Sequence, residues 1–246
     1  MRNKRKEVRT LMTKIKNVPF EFKNEVKDGK HILTLSGAVR KKYWSDDDAI
    51  DAKSIRTNLD SVTDDILIKL NSPGGDVFEG IEIYNYLKNH SSNVTVEVVG
   101  TAASAATFIV AGADKVVMNT GTTIMIHEAS TWTWGNKQDI QKALNALETI
   151  DDSIISIYVE KTGQSEQQLT DWMNEEKWFT AQEAVDYGFA DEIKTTKKED
   201  SNSEGISDER IAQAVASFFN SQTAVEPQEP TEPKNKSLIS RLRKGE

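Results

Sequence analysis

The stretch ILIKLNSPGGDVFEG (residues 66–80) decides the fold, because an apolar run passes through two adjacent glycines into a helical pattern. The run predicts a strand, and VFEGIEIYNYLKNH (residues 77–90) predicts an amphipathic helix. Paired glycines at such a junction let the backbone approach a ligand and leave peptide N–H groups free to donate. A turn that merely links strand and helix is the plainer interpretation.

The glycine turn does not match a nucleotide site. A P-loop needs Lys-Ser or Lys-Thr after its glycines, and a dinucleotide site needs G-x-G-x-x-G, whereas residues 73–76 read PGGD. Asp76 and Glu79 also place negative charge where a phosphate would sit. The sequence therefore disfavours a nucleotide ligand.

The composition is typical of a soluble globular protein, with 37% apolar and 28% charged residues in a chain of 246. A formal net charge of −8 argues against nucleic acid as a partner, because phosphate contacts need clustered Lys and Arg. With no cysteine, disulfides and thiolate metal sites are excluded. The basic start MRNKRKEVRTLMTKIKN lacks the apolar part of a signal peptide, and no membrane span is evident. We expect a cytoplasmic protein, with Met12 as an alternative start.

Three segments are expected along the chain. Residues 1–29 form a basic, partly flexible N-terminal segment, and residues 30–194 form the folded domain. Residues 195–246 are a linker and tail that we expect to be largely disordered, because residues 195–205 have few apolar side chains and VEPQEPTEPKNK is rich in proline. A short amphipathic helix is predicted near residues 207–220 of this tail.

Between residues 31 and 193 the apolar pattern alternates between the periods of strands and helices. HILTLSGA, ILIKL, VTVEVVG, KVVMN and TTIMIH predict strands, and a long helix is predicted over residues 136–162. SEQQLTDWM and TAQEAVDYG each begin with a capping-box pattern and predict two short helices. Strands separated by helices indicate parallel crossovers and an α/β fold.

Ser104 and His127 are the candidate reactive side chains. Ser104 follows a predicted strand and precedes a predicted helix, where the helix dipole and free N–H groups suit a nucleophile; a plain helix N-cap is the alternative. His127 ends the apolar strand TTIMIH before the polar and aromatic loop EASTWTWG, and a structural histidine is the alternative. His31 and His90 have no comparable chemical context. A serine and a histidine at the carboxyl edge of a parallel sheet favour acyl-transfer chemistry.

Five motifs, in their order and spacing, resemble those of ClpP-like serine peptidases: NSPGGDVFEGIEIYNYL, GTAASAATFIVAGADKVVM, MIHEA, EKTGQSEQQL and EEKWFTAQEAVDYGFADEI. The resemblance covers about residues 30–194. It implies a ClpP/crotonase-type fold of stacked β-β-α units, with the long helix as a handle, and a ring-shaped oligomer, expected to be heptameric. The WFTAQEAVDYGFADEI ending, the DVFEG helix start and the W-x-W-G loop resemble most the head-maturation proteases encoded in tailed phages and prophages.

The resemblance also implies roles for individual residues. Ser104 corresponds to the nucleophile and His127 to the general base, while the N–H groups of Gly74 and Ala105 correspond to the oxyanion hole. Two further residues of the glycine turn are expected to bind the substrate backbone: Pro73 and Gly75. No cofactor and no metal is implied.

The third catalytic residue departs from the family pattern. The family usually has Asp at the position that Glu176 occupies here, and Glu is one methylene longer. Glu can orient a catalytic histidine in other hydrolases. Asp171 and Glu175 are the local alternatives.

The expected function is serine-type endopeptidase activity in maturation of a phage or prophage capsid (prohead), with capsid or scaffold proteins as substrates. One alternative is the proteolytic subunit of an ATP-dependent Clp protease, which would use an AAA+ unfoldase as partner. A second is a non-catalytic capsid assembly or scaffold protein. A crotonase-type acyl-CoA enzyme and a Ser-Lys peptidase are further alternatives that this residue pattern supports less well.

Overall fold

The computed structural model of the chain describes residues 18–44 and 47–194. Its elements, in chain order, are β1 (Glu21–Lys27), β2 (Lys30–Ser36), α1 (Ala52–Leu59), β3 (Ile66–Ser72), α2 (Val77–Lys88), β4 (Val94–Ala103), α3 (Ala106–Ala111), β5 (Lys115–Asn119), β6 (Thr123–Met125), α4 (Lys137–Thr162), α5 (Glu166–Asn174), β7 (Trp178–Thr180), α6 (Ala181–Asp186) and β8 (Glu192–Lys194).

The strands form one sheet in the order β1-β2-β3-β4-β5-β8. The pairings from β2 to β8 are parallel, whereas β1 joins β2 as an antiparallel hairpin. Strand β6 pairs with the carboxyl end of β4 in parallel and with β7 in antiparallel orientation. The predicted α/β fold with parallel crossovers is confirmed.

Strand β3 illustrates why the sheet forms. Ile66, Ile68 and Leu70 alternate with Leu67 and Lys69, and the first three are buried. Side chains of a strand alternate between faces, so Ile66, Ile68 and Leu70 enter the core, while Leu67 and Lys69 lie on the other face and are half-buried. Core residues from the helices cover the inward face: Ile55, Leu59, Ile83, Leu87, Phe108 and Ile109.

Helix α4 begins after Asn136, which forms a capping box with Asp139, and ends at Gly163 in a left-handed conformation. These signals confirm the long helix predicted over residues 136–162. The helix buries only three of its side chains, all in its second half: Ile154, Ile157 and Tyr158. Ile140 and Leu144, by contrast, are about half exposed (50% and 48%).

Four elements were not predicted from the sequence, namely β1, α1, β7 and β8. Strand β1 lies before residue 30, so the sheet starts earlier in the chain than the expected domain boundary. The expectations for residues 1–17 and for the tail beyond Lys194, including the helix near residues 207–220, lie outside the described residues. Within the described ranges, no helix is both long and apolar enough to cross a membrane.

Candidate active site

Ser104 lies in a tight turn between β4, which ends at Ala103, and α3, which begins at Ala106. Its φ of 55° is left-handed, a conformation that non-glycine residues rarely adopt and that is associated with functional turns. The helix N-cap position belongs to Ala105, so the alternative interpretation of Ser104 as an N-cap is wrong. The Ser104 N–H donates to the Met125 carbonyl at 2.8 Å, which ties the turn to β6.

A buried hydroxyl pair holds the carbonyl side of this turn. The Thr107 hydroxyl donates to the Ser104 carbonyl oxygen at 2.6 Å, and it lies 2.5 Å from the hydroxyl of Tyr158. Burial raises the pKa of Tyr158, so this phenol stays protonated. Helix α4 therefore reaches the Ser104 turn through its Tyr158 side chain.

His127 follows β6 and lies next to Ser104, with His127 Nε2 2.7 Å from Ser104 Oγ. The Ile126 N–H donates to the Lys177 carbonyl, which fixes the end of β6 against the residue that precedes β7. Burial lowers the pKa of His127, and the charges of Glu176, Asp151 and Glu128 oppose this effect. A neutral imidazole within hydrogen-bond distance of a hydroxyl can accept its proton.

Glu176 lies in the turn between α5 and β7, with a left-handed φ of 50°. It lines the same cavity as Ser104 and His127, whereas Asp171 and Glu175 do not line that cavity. Among the described residues, the His127 ring makes no hydrogen bond to a carboxylate, so Glu176 acts on the imidazole here through its charge. Asp171 instead accepts a hydrogen bond from Gln167.

The glycine turn lies directly against Ser104. Gly74 has a φ of 82°, and a Cβ at this position would meet the Ala103 carbonyl oxygen and the Ser104 Cβ. Gly75 has a φ of 150°, and a Cβ there would overlap the carbonyl oxygen of Val39. Both positions therefore require glycine, for reasons of conformation and of space.

The peptide N–H groups of this region differ in their availability. The Gly74 N–H donates to Ser72 Oγ at 3.1 Å, so the donor expected for an oxyanion hole is already engaged in this conformation. Across the described part of the chain, no acceptor contacts the N–H of Gly75 or of Ala105. Gly75 is exposed and lines both cavities at the site.

Two cavities meet at the Ser104–His127 pair. The first, of about 290 Å³, has an apolar wall from α2, α3 and α4: Phe78, Phe108, Leu147, Ile150, Ile154 and Tyr158. The second, of about 720 Å³, contains the glycine turn together with Met125, Met173 and Glu176. Pro73, which was expected to contact substrate, lines the second cavity with five of the other predicted site residues, and Ala105 lines the first, so all seven lie at the two cavities that meet at Ser104.

Three residues at the site were not identified from the sequence: Thr107, Tyr158 and Asp151. The Asp151 carboxylate accepts the Ala129 N–H at 2.7 Å, two residues after His127. Its signal in the sequence is an acidic residue directly beside the apolar face of α4, between Ile150 and Ile154. Thr107 and Tyr158 carry no comparable signal, because both fit an apolar core pattern.

Comparison with known proteins agrees with this arrangement. The family model for Clp protease matches residues 45–197. The chain is 28% identical over 168 residues to the ATP-dependent Clp protease proteolytic subunit 2 of Tropheryma whipplei, covering 68% of this chain and 92% of that protein. It is 32% identical over 147 residues to the ATP-dependent Clp protease proteolytic subunit of Chlorella vulgaris, covering 59% and 73%. It is also 31% identical over 150 residues to proteolytic subunit 1 of Corynebacterium jeikeium, covering 60% and 80%. On its sequence match, its fold and its paired serine and histidine, the chain belongs to the Clp protease family.

Proposed function

We propose that the protein is a serine endopeptidase in which Ser104 is the nucleophile and His127 the general base. The observation that carries this proposal is the 2.7 Å contact between His127 Nε2 and Ser104 Oγ, at a left-handed turn where two cavities meet. A nucleophile and a base at this distance, in a cleft with free N–H donors, have the geometry of acyl transfer.

The proton movements follow from the environment of the imidazole. His127 is kept neutral by burial, so it accepts the Ser104 proton as Oγ attacks the peptide carbonyl. The imidazolium formed in this step is stabilised by the charges of Glu176 and Asp151. It then returns the proton to the leaving amine, and water hydrolyses the acyl-enzyme by the same route. Glu176 is the proposed third member of the triad.

The oxyanion is proposed to bind to the Ala105 N–H and to a peptide N–H of the glycine turn. Gly74 would serve after releasing Ser72 Oγ, while Gly75 lines both cavities and its N–H has no acceptor among the described residues. Pro73 and Gly75 are proposed to contact the backbone of an extended substrate.

The biological role that we propose is maturation of a phage or prophage capsid, with capsid or scaffold proteins as substrates. The W-x-W-G loop, the DVFEG helix start and Glu176 in place of Asp support this assignment. A role as proteolytic subunit of an ATP-dependent Clp protease, working with an AAA+ unfoldase, is the second candidate, because the similar proteins from T. whipplei and C. vulgaris carry that name. A purely structural role in the capsid is less well supported, since it would not need the contact between Ser104 and His127.

A ring-shaped oligomer belongs to the same proposal. The first half of α4 has no buried side chain, although Ile140 and Leu144 form part of its apolar face. Apolar side chains left half-exposed on a long helix indicate a surface that another copy covers.

The test is Ser104→Ala with a fluorogenic peptide and a fluorophosphonate probe. We expect hydrolysis and labelling to disappear while the circular dichroism spectrum stays unchanged, because a single exposed-cleft hydroxyl is removed. Peptide hydrolysis at the wild-type rate by the variant would refute the proposed mechanism. Two incubations of the wild type distinguish the two biological roles. Cleavage of purified capsid protein without any unfoldase supports capsid maturation. Cleavage of a folded substrate only when an AAA+ unfoldase and ATP are added supports the role of a Clp proteolytic subunit.

A further inference from the structure

A carboxylate of helix α4 accepts a hydrogen bond from the loop that follows His127. Asp151 Oδ1 accepts the N–H of Ala129 at 2.7 Å. Asp151 is half-buried, whereas its neighbour Asp152 is exposed and makes no such contact. The contact therefore anchors one defined point of the loop to the helix.

The hydrogen bond at Ala129 lies close enough to His127 to affect the position of its imidazole. It lies two residues after His127 and lines both cavities at the Ser104–His127 pair. A chain held at Ala129 limits how far the His127 backbone can move relative to Ser104. Small displacements of a catalytic group are costly, since a shift of about 1 Å can lower a rate by about 10²-fold.

The charge of Asp151 also acts on His127. Carboxylates on three elements raise the pKa of the imidazole: Glu176 in the turn after α5, Asp151 on α4, and Glu128 in the loop itself. Asp151 lies in a cavity of about 210 Å³ whose other acidic lining residues are Glu128, Glu148 and Asp152. Within the described residues no Lys or Arg side chain lines this cavity, so no cation there neutralises Asp151.

We propose that Asp151 is a positioning residue for His127, which holds the loop through the Ala129 N–H and supplies a second carboxylate charge to the imidazolium beside that of Glu176. This inference rests on the proposed function. It assigns to α4 a positioning role that the motifs and the position of Glu176 do not indicate.

The two contributions of Asp151 can be separated by substitution. Asparagine keeps an oxygen that accepts the Ala129 N–H but has no charge, whereas alanine removes both the acceptor and the charge. Asp152→Asn is the matched control, because it removes the same charge from the next residue of the helix. Asp152 is not among the charges that raise the pKa of His127.

The experiment measures kcat/KM for a fluorogenic peptide between pH 5 and 9 in the full-length chain, together with thermal unfolding of each variant. We expect Asp151→Ala to lower kcat/KM by about 10-fold to 10²-fold at the optimum. Asp151→Asn should restore most of that loss and move the acid limb of the profile to lower pH, because a charge that raises the pKa of His127 is gone. Asp152→Asn should match the wild type in both respects.

Two results would overturn the proposal: equal activity of Asp151→Ala and Asp152→Asn, or an acid limb in Asp151→Asn that coincides with that of the wild type. If Asp151→Ala fails to fold, the profile of Asp151→Asn still decides. Ser104→Ala assayed in parallel separates this inference from the proposed function. An inactive Ser104→Ala with fully active Asp151 variants leaves the mechanism standing and removes only the role of Asp151.

Discussion

The buried hydroxyl pair beside Ser104 leads to the sharpest prediction, which concerns Thr107→Val. Valine has the shape of threonine but no hydroxyl, so it removes both the 2.6 Å bond to the Ser104 carbonyl and the 2.5 Å contact with Tyr158. Both side chains are 1% exposed, so the Tyr158 hydroxyl is left without this partner in a dry site, whereas the Ser104 carbonyl keeps the backbone N–H of residue 107 as a donor at 2.8 Å. Unpaired buried groups cost about 1–3 kcal/mol. For a domain of this size each kcal/mol lowers Tm by about 2–4 °C.

The matched control is Thr107→Ser, which keeps the hydroxyl but loses a buried methyl group worth about 0.8 kcal/mol. Both variants are therefore expected to melt a few degrees below the wild type. Only Thr107→Val should also lose activity, by up to about 10²-fold in kcat/KM, because the left-handed turn that presents Ser104 loses one of the hydrogen bonds that hold it. The assay is peptide hydrolysis well below both melting temperatures. Wild-type kcat/KM in Thr107→Val would refute the view that this hydroxyl positions the nucleophile.

Three further predictions concern the triad and the assembly. Glu176→Gln should reduce turnover, by up to about 10⁴-fold for a triad carboxylate, and Glu175→Gln should be nearly silent; a crippled Glu175→Gln in the same peptide assay would mean that the wrong carboxylate has been assigned. Because burial lowers the pKa of His127 from its usual 6.5 and catalysis needs the neutral ring, the acid limb of kcat/KM should lie below pH 6.5; a limb above that value would contradict the assignment of His127 as the base. Light scattering should detect a ring in the wild type and smaller species in a variant with both Ile140→Lys and Leu144→Lys; unchanged assembly of this double variant would exclude the exposed face of α4 as the interface.

Sequence reasoning succeeded where the signal is local. Helix α4 was predicted to within one residue from the 3.6-residue spacing of its apolar side chains, and the structure adds a capping box at Asn136 and a left-handed end at Gly163. Ser104 and His127 could be paired from the sequence because each follows a strand of a parallel sheet, and such strands bring their carboxyl ends together.

The remainder depends on contacts between distant parts of the chain. Helix α1 has only three buried residues among eight, so its apolar pattern is too sparse to identify. Strand β1 is largely exposed and is defined by its pairing with β2. The left-handed φ of Ser104 and the acceptor role of Asp151 arise from tertiary packing, which the local sequence around each residue does not contain.

Helix α4 contacts the segments that carry both reacting side chains. Asp151 anchors the loop after His127, and Tyr158, two turns and about 10 Å further along, reaches the Ser104 turn through Thr107. Full burial on this helix starts at Ile154, and Ile150, one turn earlier, is partly buried against the core. Asp151 lies at that transition. Because both contacts come from the same helix, a displacement of α4 relative to the sheet would act on the loop after His127 and on the Ser104 turn together.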